Sequence, residues 1–200
     1  MAIRVKKRKA ALRRETRESQ VAVELCLDGK GRAQVSTGIG FFDHMLTLLA
    51  RHALYDLKLE ASGDRQVDNH HTVEDVGISL GQALRKALGE KKGIRRFGSV
   101  ALPMDEALAQ VAVDLSGRGS LSYHLPSLPE KVGSFDLGLV REFLQGFVSQ
   151  AELTLHVLVP YGEDGHHVAE AIFKGLARAL REATDIDPRE KGVPSTKGVL

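Results

Sequence analysis

The chain has 200 residues, 42% of them apolar and 27% charged, with a formal net charge of +2. That size and composition suit one globular domain or two small fused units around a real hydrophobic core. No apolar run approaches the roughly 18 residues needed to cross a bilayer, no secretory signal is expected at the N-terminus, and the single cysteine, Cys26, excludes an internal disulfide and fits a reducing cytoplasm.

The first segment, "IRVKKRKAALRRETR" (residues 3–17), carries eight Lys/Arg against one Glu. Such a run could grip nucleic acid or another phosphate-rich partner. It lacks the interleaved aromatics of a single-strand binder, so it is read as a solvated edge strand and turn, where charge discourages sheet-to-sheet aggregation. "QVAVELCLDG" (20–29) then alternates apolar and polar residues as a half-buried strand does and closes on a turn signal. "GIGFFDHMLTLLARHA" (38–53) has apolar residues at helical spacing, "YDLKLEAS" (55–62) reads as a short strand, and "HHTVEDVGISLGQALRKAL" (70–88) as a long amphipathic helix.

The same order then returns. "QVAVDLSG" (110–117) matches the first alternating strand, "LGLVREFLQGFVSQA" (137–151) the shorter helix, "LTLHVLVP" (153–160) the short strand, and "HHVAEAIFKGLARALREAT" (166–184) the long helix. The double histidine follows Gln20 by 50 residues and Gln110 by 56. Each half reads strand, strand, helix, strand, helix. The expected fold is therefore α+β: two similar βαβ-type halves, with mixed sheets and helices packed on one face, associated as a pseudo-dimer. The expected division is 1–92, 93–185 and a tail, 186–200. The junction lies in "GEKKGIRRFG" (89–98).

Both HHxxE motifs open long helices. Residues four apart share a helix face, so His70 pairs with Glu74 and His166 with Glu170, while His71 and His167 point about 100° away. One metal cannot easily take both members of a pair from one helix, whereas two metals can each collect an imidazole and a carboxylate from one helix and an imidazole from another. Imidazole with carboxylate suits Mn, Fe, Co or Zn rather than Ca or Mg. A lone HHxxE is more often a polar first turn whose Glu answers the helix dipole; two copies at corresponding places in a repeat favour metal. His44 adds a third imidazole. His52, His124 and His156 carry no comparable spacing signal, and His156, in mid-strand, reads as a half-buried side chain. No phosphate loop, dinucleotide fingerprint or serine elbow is present. Residue pattern alone stops at a two-metal protein with carboxylates to spare, and leaves open a metal store or scaffold and a nucleic-acid-binding module.

The segments "GIGFFDHML", "DNHHTVEDVGI", "KGIRRFG", "PMDEAL", "DLSGRG", "HHVAEAIFKGLARAL" and "PSTKGVL" together, in order over nearly the whole chain, resemble the imidazoleglycerol-phosphate dehydratases of histidine biosynthesis, without the fused phosphatase some of them carry. The resemblance implies a hydro-lyase that converts imidazole glycerol phosphate to imidazole acetol phosphate. It implies two divalent ions per chain, Mn before Fe, Co or Zn, holding the substrate ring as an imidazolate that expels the hydroxyl. It places His44, His70, His71, Glu74, His166, His167 and Glu170 on metal-ligand positions, and Glu18, Glu74 and Glu170 among the catalytic carboxylates, with Glu18 the acid/base. Arg96, Arg118, Ser195 and Lys197 fall on substrate-binding positions, where cations beside a hydroxyl suit a phosphate. One position departs from the family: the repeat partner of His44, usually histidine, is Glu142 here. It is expected either to ligate metal itself or to point to solvent beside Arg141. The resemblance further implies a homo-oligomer, trimers assembling into a 24-mer with shared active sites, working in the cytoplasm with neither nucleic acid nor membrane as partner.

Overall fold

A computed structural model describes residues 7–200. Residues 3–6 of the basic segment and the start of the expected first half lie outside the described residues. The first half comprises β1 (Lys9–Glu15), β2 (Ser19–Cys26), β3 (Ala33–Ser36), α1 (Gly40–Ala53), β4 (Asp56–Gly63) and α2 (His70–Leu88). The second comprises β5 (Phe97–Met104), β6 (Ala107–Asp114), β7 (Ser120–His124), the small hairpin β8 (Lys131–Val132) and β9 (Phe135–Asp136), α3 (Gly138–Ala151), β10 (Thr154–Tyr161) and α4 (Gly165–Thr184).

Each half forms a mixed four-stranded sheet, in the order β1-β2-β4-β3 or β5-β6-β10-β7. Within each, the first three strands listed pair antiparallel, while β3 lies parallel to β4 and β7 parallel to β10. The strand-strand-helix reading of each half thus omits the last strand of each four-stranded sheet, and in the second half the β8–β9 hairpin as well. Ala33–Ser36 has four residues and Ser120–His124 five, too short for a decisive alternation signal, and their parallel pairing is set by a long crossover rather than a local turn. The basic segment does end in an edge strand, β1.

The alternation in β2 and β6 sets which face is buried. Val21, Val23 and Leu25, like Ala109, Val111 and Val113, turn inward, and a one-residue slip would reverse every one of them. Against those inner faces lie the helices: α2 on β1 and β2, α4 on β5 and β6. The helices also pair across the halves, α1 with α4 and α2 with α3, giving the order sheet, helices, helices, sheet. Glycines permit the close approach of α2 and α3. A Cβ at Gly77 would stand 2.4 Å from the Phe143 carbonyl oxygen, and one at Gly81 2.4 Å from that of Phe147. Phe42, Phe143, Phe147 and Phe173 are wholly buried and stack through the centre of one continuous core. Helices α1 and α4 share a direction. Phe41, near the start of α1, touches His166 at the start of α4, and the Tyr55 hydroxyl just beyond α1 donates to the Leu180 carbonyl, near the end of α4, at 3.1 Å. Among the described residues no helix is long and apolar enough to cross a membrane.

Candidate metal and substrate site

Both histidine pairs sit in the first turn of their helices, and each is anchored in the same way. The Asp68 carboxylate accepts the His70 backbone N–H at 2.7 Å, and Asp164 accepts that of His166 at 2.7 Å. Each aspartate stands two residues ahead of its pair and satisfies an N–H that the helix start leaves unpaired.

Three expected ligands meet at one point. His44 of α1 and His166 and Glu170 of α4 offer ligand atoms within 4.8 Å of one another, and among the described residues no other set of three His, Cys, Asp or Glu does so. Glu170 Oε1 lies 2.8 Å from His44 Nε2 and 3.2 Å from His166 Nε2. Its other oxygen accepts from the Lys174 ammonium, one turn along α4. Burial pushes the Glu170 carboxyl up, but the bonds from Lys174, His44 and His166 outweigh it and bring it down to about 2. An ionised carboxylate facing two imidazoles is a donor set suited to a transition metal, so these residues fit the ion the family pattern implies.

The second histidine of each pair is held between two carboxylates. His71 Nδ1 stands 3.1 Å from both Asp64 oxygens, and its Nε2 is 3.9 Å from Glu18. His167 Nδ1 stands 2.7 Å from Glu106, and its Nε2 is 3.6 Å from Asp105. The hydrogen bond to Asp64 raises the His71 pKa, and the one to Glu106 raises that of His167. Glu106 falls to about 2, first because it accepts the Asp164 N–H and then through His167. Glu18 owes its place to Asp75, a buried carboxylate on α2 that takes the Arg14 guanidinium at 2.9 Å and the Ser19 hydroxyl. These bonds pin the β1–β2 turn, and Glu18 with it, beside His71.

The expected substrate residues gather elsewhere. The Arg96 guanidinium forks onto Asp114 at 2.7 and 3.2 Å, donates to the Pro194 carbonyl at 2.9 Å, and covers the Phe97 ring at 4.6 Å. Pro194 precedes Ser195, whose hydroxyl accepts the Lys197 N–H at 3.2 Å. Gly117, next to Arg118, lies against Leu200. The tail is thus folded back on the strand ends that carry both arginines. The Arg96 N–H bonds the Ala183 carbonyl at the far end of α4. Ala183 is 17 residues past His166, or about 25 Å along the axis at 1.5 Å per residue.

Not every expected residue joins a set. His70 and Glu74 approach only to 4.0 Å. Glu142 lies 4.0 Å from Arg141, its side chain one-third exposed. It is nonetheless the counterpart of His44: each is the fifth residue of a 14-residue helix. His156 is exposed on the outer face of β10 rather than half-buried, since the alternation in that strand turns its neighbours inward. Sequence reasoning missed Asp64, Asp75, Asp105, Glu106 and Lys174. Only Lys174, one turn past Glu170, was signalled by spacing; the others depend on how turns fold against helices.

The comparisons with known proteins point to one family. The family model described as imidazoleglycerol-phosphate dehydratase matches residues 37–180. A relative of that name from Methylobacterium radiotolerans is 56% identical over 194 residues, covering 96% of this chain and all of the relative. Another, from Azorhizobium caulinodans, is 58% identical, covering 96% and 98%. Among solved structures, imidazoleglycerol-phosphate dehydratase from Staphylococcus aureus superposes with a TM-score of 0.80 at 41% identity, covering 90% of this chain and 99% of that one. The enzyme from Pyrococcus furiosus gives 0.82 at 38% identity, covering 94% and 100%.

Proposed function

This chain belongs to the imidazoleglycerol-phosphate dehydratase family, hydro-lyases of histidine biosynthesis, and from that premise we propose how its residues dehydrate imidazole glycerol phosphate to imidazole acetol phosphate. The hydroxyl leaves from the carbon joined to the ring, a proton leaves from the next carbon, and the resulting enol regains a proton at the ring-side carbon to become the ketone. No carbonyl acidifies the proton that is lost, so the ring must carry the electron demand. Bound divalent ions supply Lewis acidity that favours the ring as an imidazolate and so eases the departure of hydroxide. The observation that carries the reading is the convergence of His44, His166 and Glu170 from two helices of different halves on one point.

These three hold one ion. His70, Glu74 and Glu142, their counterparts in the repeat, serve a second, and His71 and His167 supply the remaining imidazoles. Mn is the preferred metal, with Fe, Co and Zn as alternatives. Glu18, exposed beside His71 Nε2, moves protons between the carbon skeleton and the leaving oxygen. Arg96, Arg118, Ser195 and Lys197 bind the phosphate.

The separation of about 25 Å along α4 between His166 and the backbone that anchors Arg96 exceeds the length of the substrate. The tail corner of a chain thus lies far from its own His166, which supports a homo-oligomer with sites shared between chains, trimers assembling into a 24-mer. The reaction belongs in the cytoplasm. The test is metal analysis of the purified protein with an assay on imidazole glycerol phosphate, before and after chelation and after Mn is restored. Activity lost with metal and regained with Mn is expected; full activity in a thoroughly chelated sample refutes the mechanism.

A further inference from the structure

We propose that Asp64 and Glu106 are positioning residues: each holds the ring of the second histidine of a pair through Nδ1 and so presents Nε2 for metal. The inference rests on the reading of His71 and His167 as ligands. His71 Nδ1 lies 3.1 Å from both oxygens of Asp64, and His167 Nδ1 lies 2.7 Å from Glu106. In both cases Nε2 makes no hydrogen bond among the described residues, the acid beside it standing at 3.9 or 3.6 Å, beyond hydrogen-bond length.

The two contacts are alike, but the residues that make them are not repeat partners. Asp64 follows β4 directly; the residue directly after the matching β10 is Gly162, which has no side chain to offer. Glu106 stands in the β5–β6 turn, whose first-half equivalent is Thr16–Glu18, where Glu18 faces Nε2 instead. The same bond is therefore reached from two non-equivalent places in an otherwise repeated architecture, which duplication of a surface charge does not produce. Both residues are also anchored, Glu106 through its carboxylate and Asp64 through its backbone. Glu106 accepts the backbone N–H groups of Asp164 at 2.9 Å and Glu163 at 3.3 Å, and the Asp64 N–H is tied to the Glu18 carbonyl at 3.0 Å. A metal-bound imidazole commonly donates its other ring N–H to a carboxylate, which sets its tautomer and orientation and strengthens it as a ligand.

The experiment compares Asp64→Leu, Asp64→Asn, Glu106→Leu and Glu106→Gln with the parent protein. Nitrogen NMR of the chelated protein reads the tautomers of His71 and His167, calorimetry with Mn reads affinity, and thermal melts check the fold. In the parent both rings carry the neutral-state proton on Nδ1. The leucine variants lose that preference at the one histidine each faces and weaken Mn binding about 10- to 100-fold. The Asn and Gln variants, whose carbonyl still accepts from Nδ1, recover most of both. Leucine variants that keep the tautomer and the parent affinity overturn the proposal. His71→Ala and His167→Ala separate its failure from that of the ligand reading: if neither changes Mn affinity, the ligand reading fails and takes this inference with it, and if both weaken it while the leucine variants do not, the positioning role alone fails.

Discussion

Replacing Glu170 by glutamine in metal-free protein isolates the interaction that draws the first donor set together. The carboxyl is nearly buried, yet its bonds to Lys174, His44 and His166 hold it at about 2 against an ordinary 4.5. At about 1.4 kcal/mol per pH unit, that difference corresponds to about 3.5 kcal/mol of folding stability. The sign follows from the direction: a carboxyl whose pKa is lower folded than unfolded stabilises the fold above the unfolded value, and the contribution disappears as pH falls from about 4.5 toward 2. Glutamine keeps the shape and one acceptor but does not titrate. Urea unfolding in chelator, at fixed protein concentration, is measured from pH 6 down to pH 2.5. The parent should lose about 2–3 kcal/mol more than Glu170→Gln over that range. Parallel curves for the two proteins refute the claim that the Lys174 and histidine bonds outweigh burial.

Gly81→Ala should lower stability by about 1–3 kcal/mol in the same urea assay, because its Cβ would meet the Phe147 carbonyl oxygen at 2.4 Å; Gly40→Ala, with nothing within 4 Å, should be near neutral. Glu18→Gln should leave substrate binding intact while turnover falls roughly 100-fold or more; lost binding with unchanged turnover would make it a positioning group. His70→Ala and His166→Ala should each abolish activity and lower bound metal, checked by elemental analysis, and the parent's metal affinity should fall at low pH because imidazoles must be neutral to ligate. Glu142→Gln should bring the metal content toward one ion per chain and Glu142→His should restore it; two ions and full activity in both variants would make Glu142 a surface residue.

The repeat, the α+β class and the two HHxxE helices were legible because each depends on local periodicity. Val21, Val23 and Leu25 alternate, and Gly77 and Gly81 are spaced for one helix face. The third strand of each half was not legible. Ala33–Ser36 and Ser120–His124 are strands because of the neighbour they lie against, and no alternation of four or five residues encodes a parallel partner. The donor sets divide along the same line. His70 and Glu74 are linked by helical spacing, but His44 meets Glu170 across 126 residues and His167 meets Glu106 across 61, distances that only the packing of helices and turns can close. Arg96, read as a substrate cation, makes structural contacts here: it ties the tail to β6 through Asp114 and the Pro194 carbonyl.

The donor set seen in the structure and the proposed second one, its counterpart in the repeat, are not electrostatically equal. The first set contains one carboxylate, Glu170, and Lys174 lies one turn farther along α4 with its ammonium on that carboxylate, so with neutral imidazoles the fixed charges, −1 and +1, sum to zero. In the proposed second set Glu142 takes the place of His44, and the residue one turn past Glu74 is Ile78. Its carboxylates, Glu74 and Glu142, sum to −2 with no adjacent ammonium in the repeat position. Two negative charges hold a divalent cation more firmly but quench its Lewis acidity. A neutral set leaves its ion more electrophilic and more readily stripped. With two ions bound as proposed, the His44 set would be suited to activating the ring and the Glu142 set to retaining its ion. On gradual chelation the first ion to leave should be the one that activity depends on, so activity should fall ahead of total metal content rather than in proportion to it.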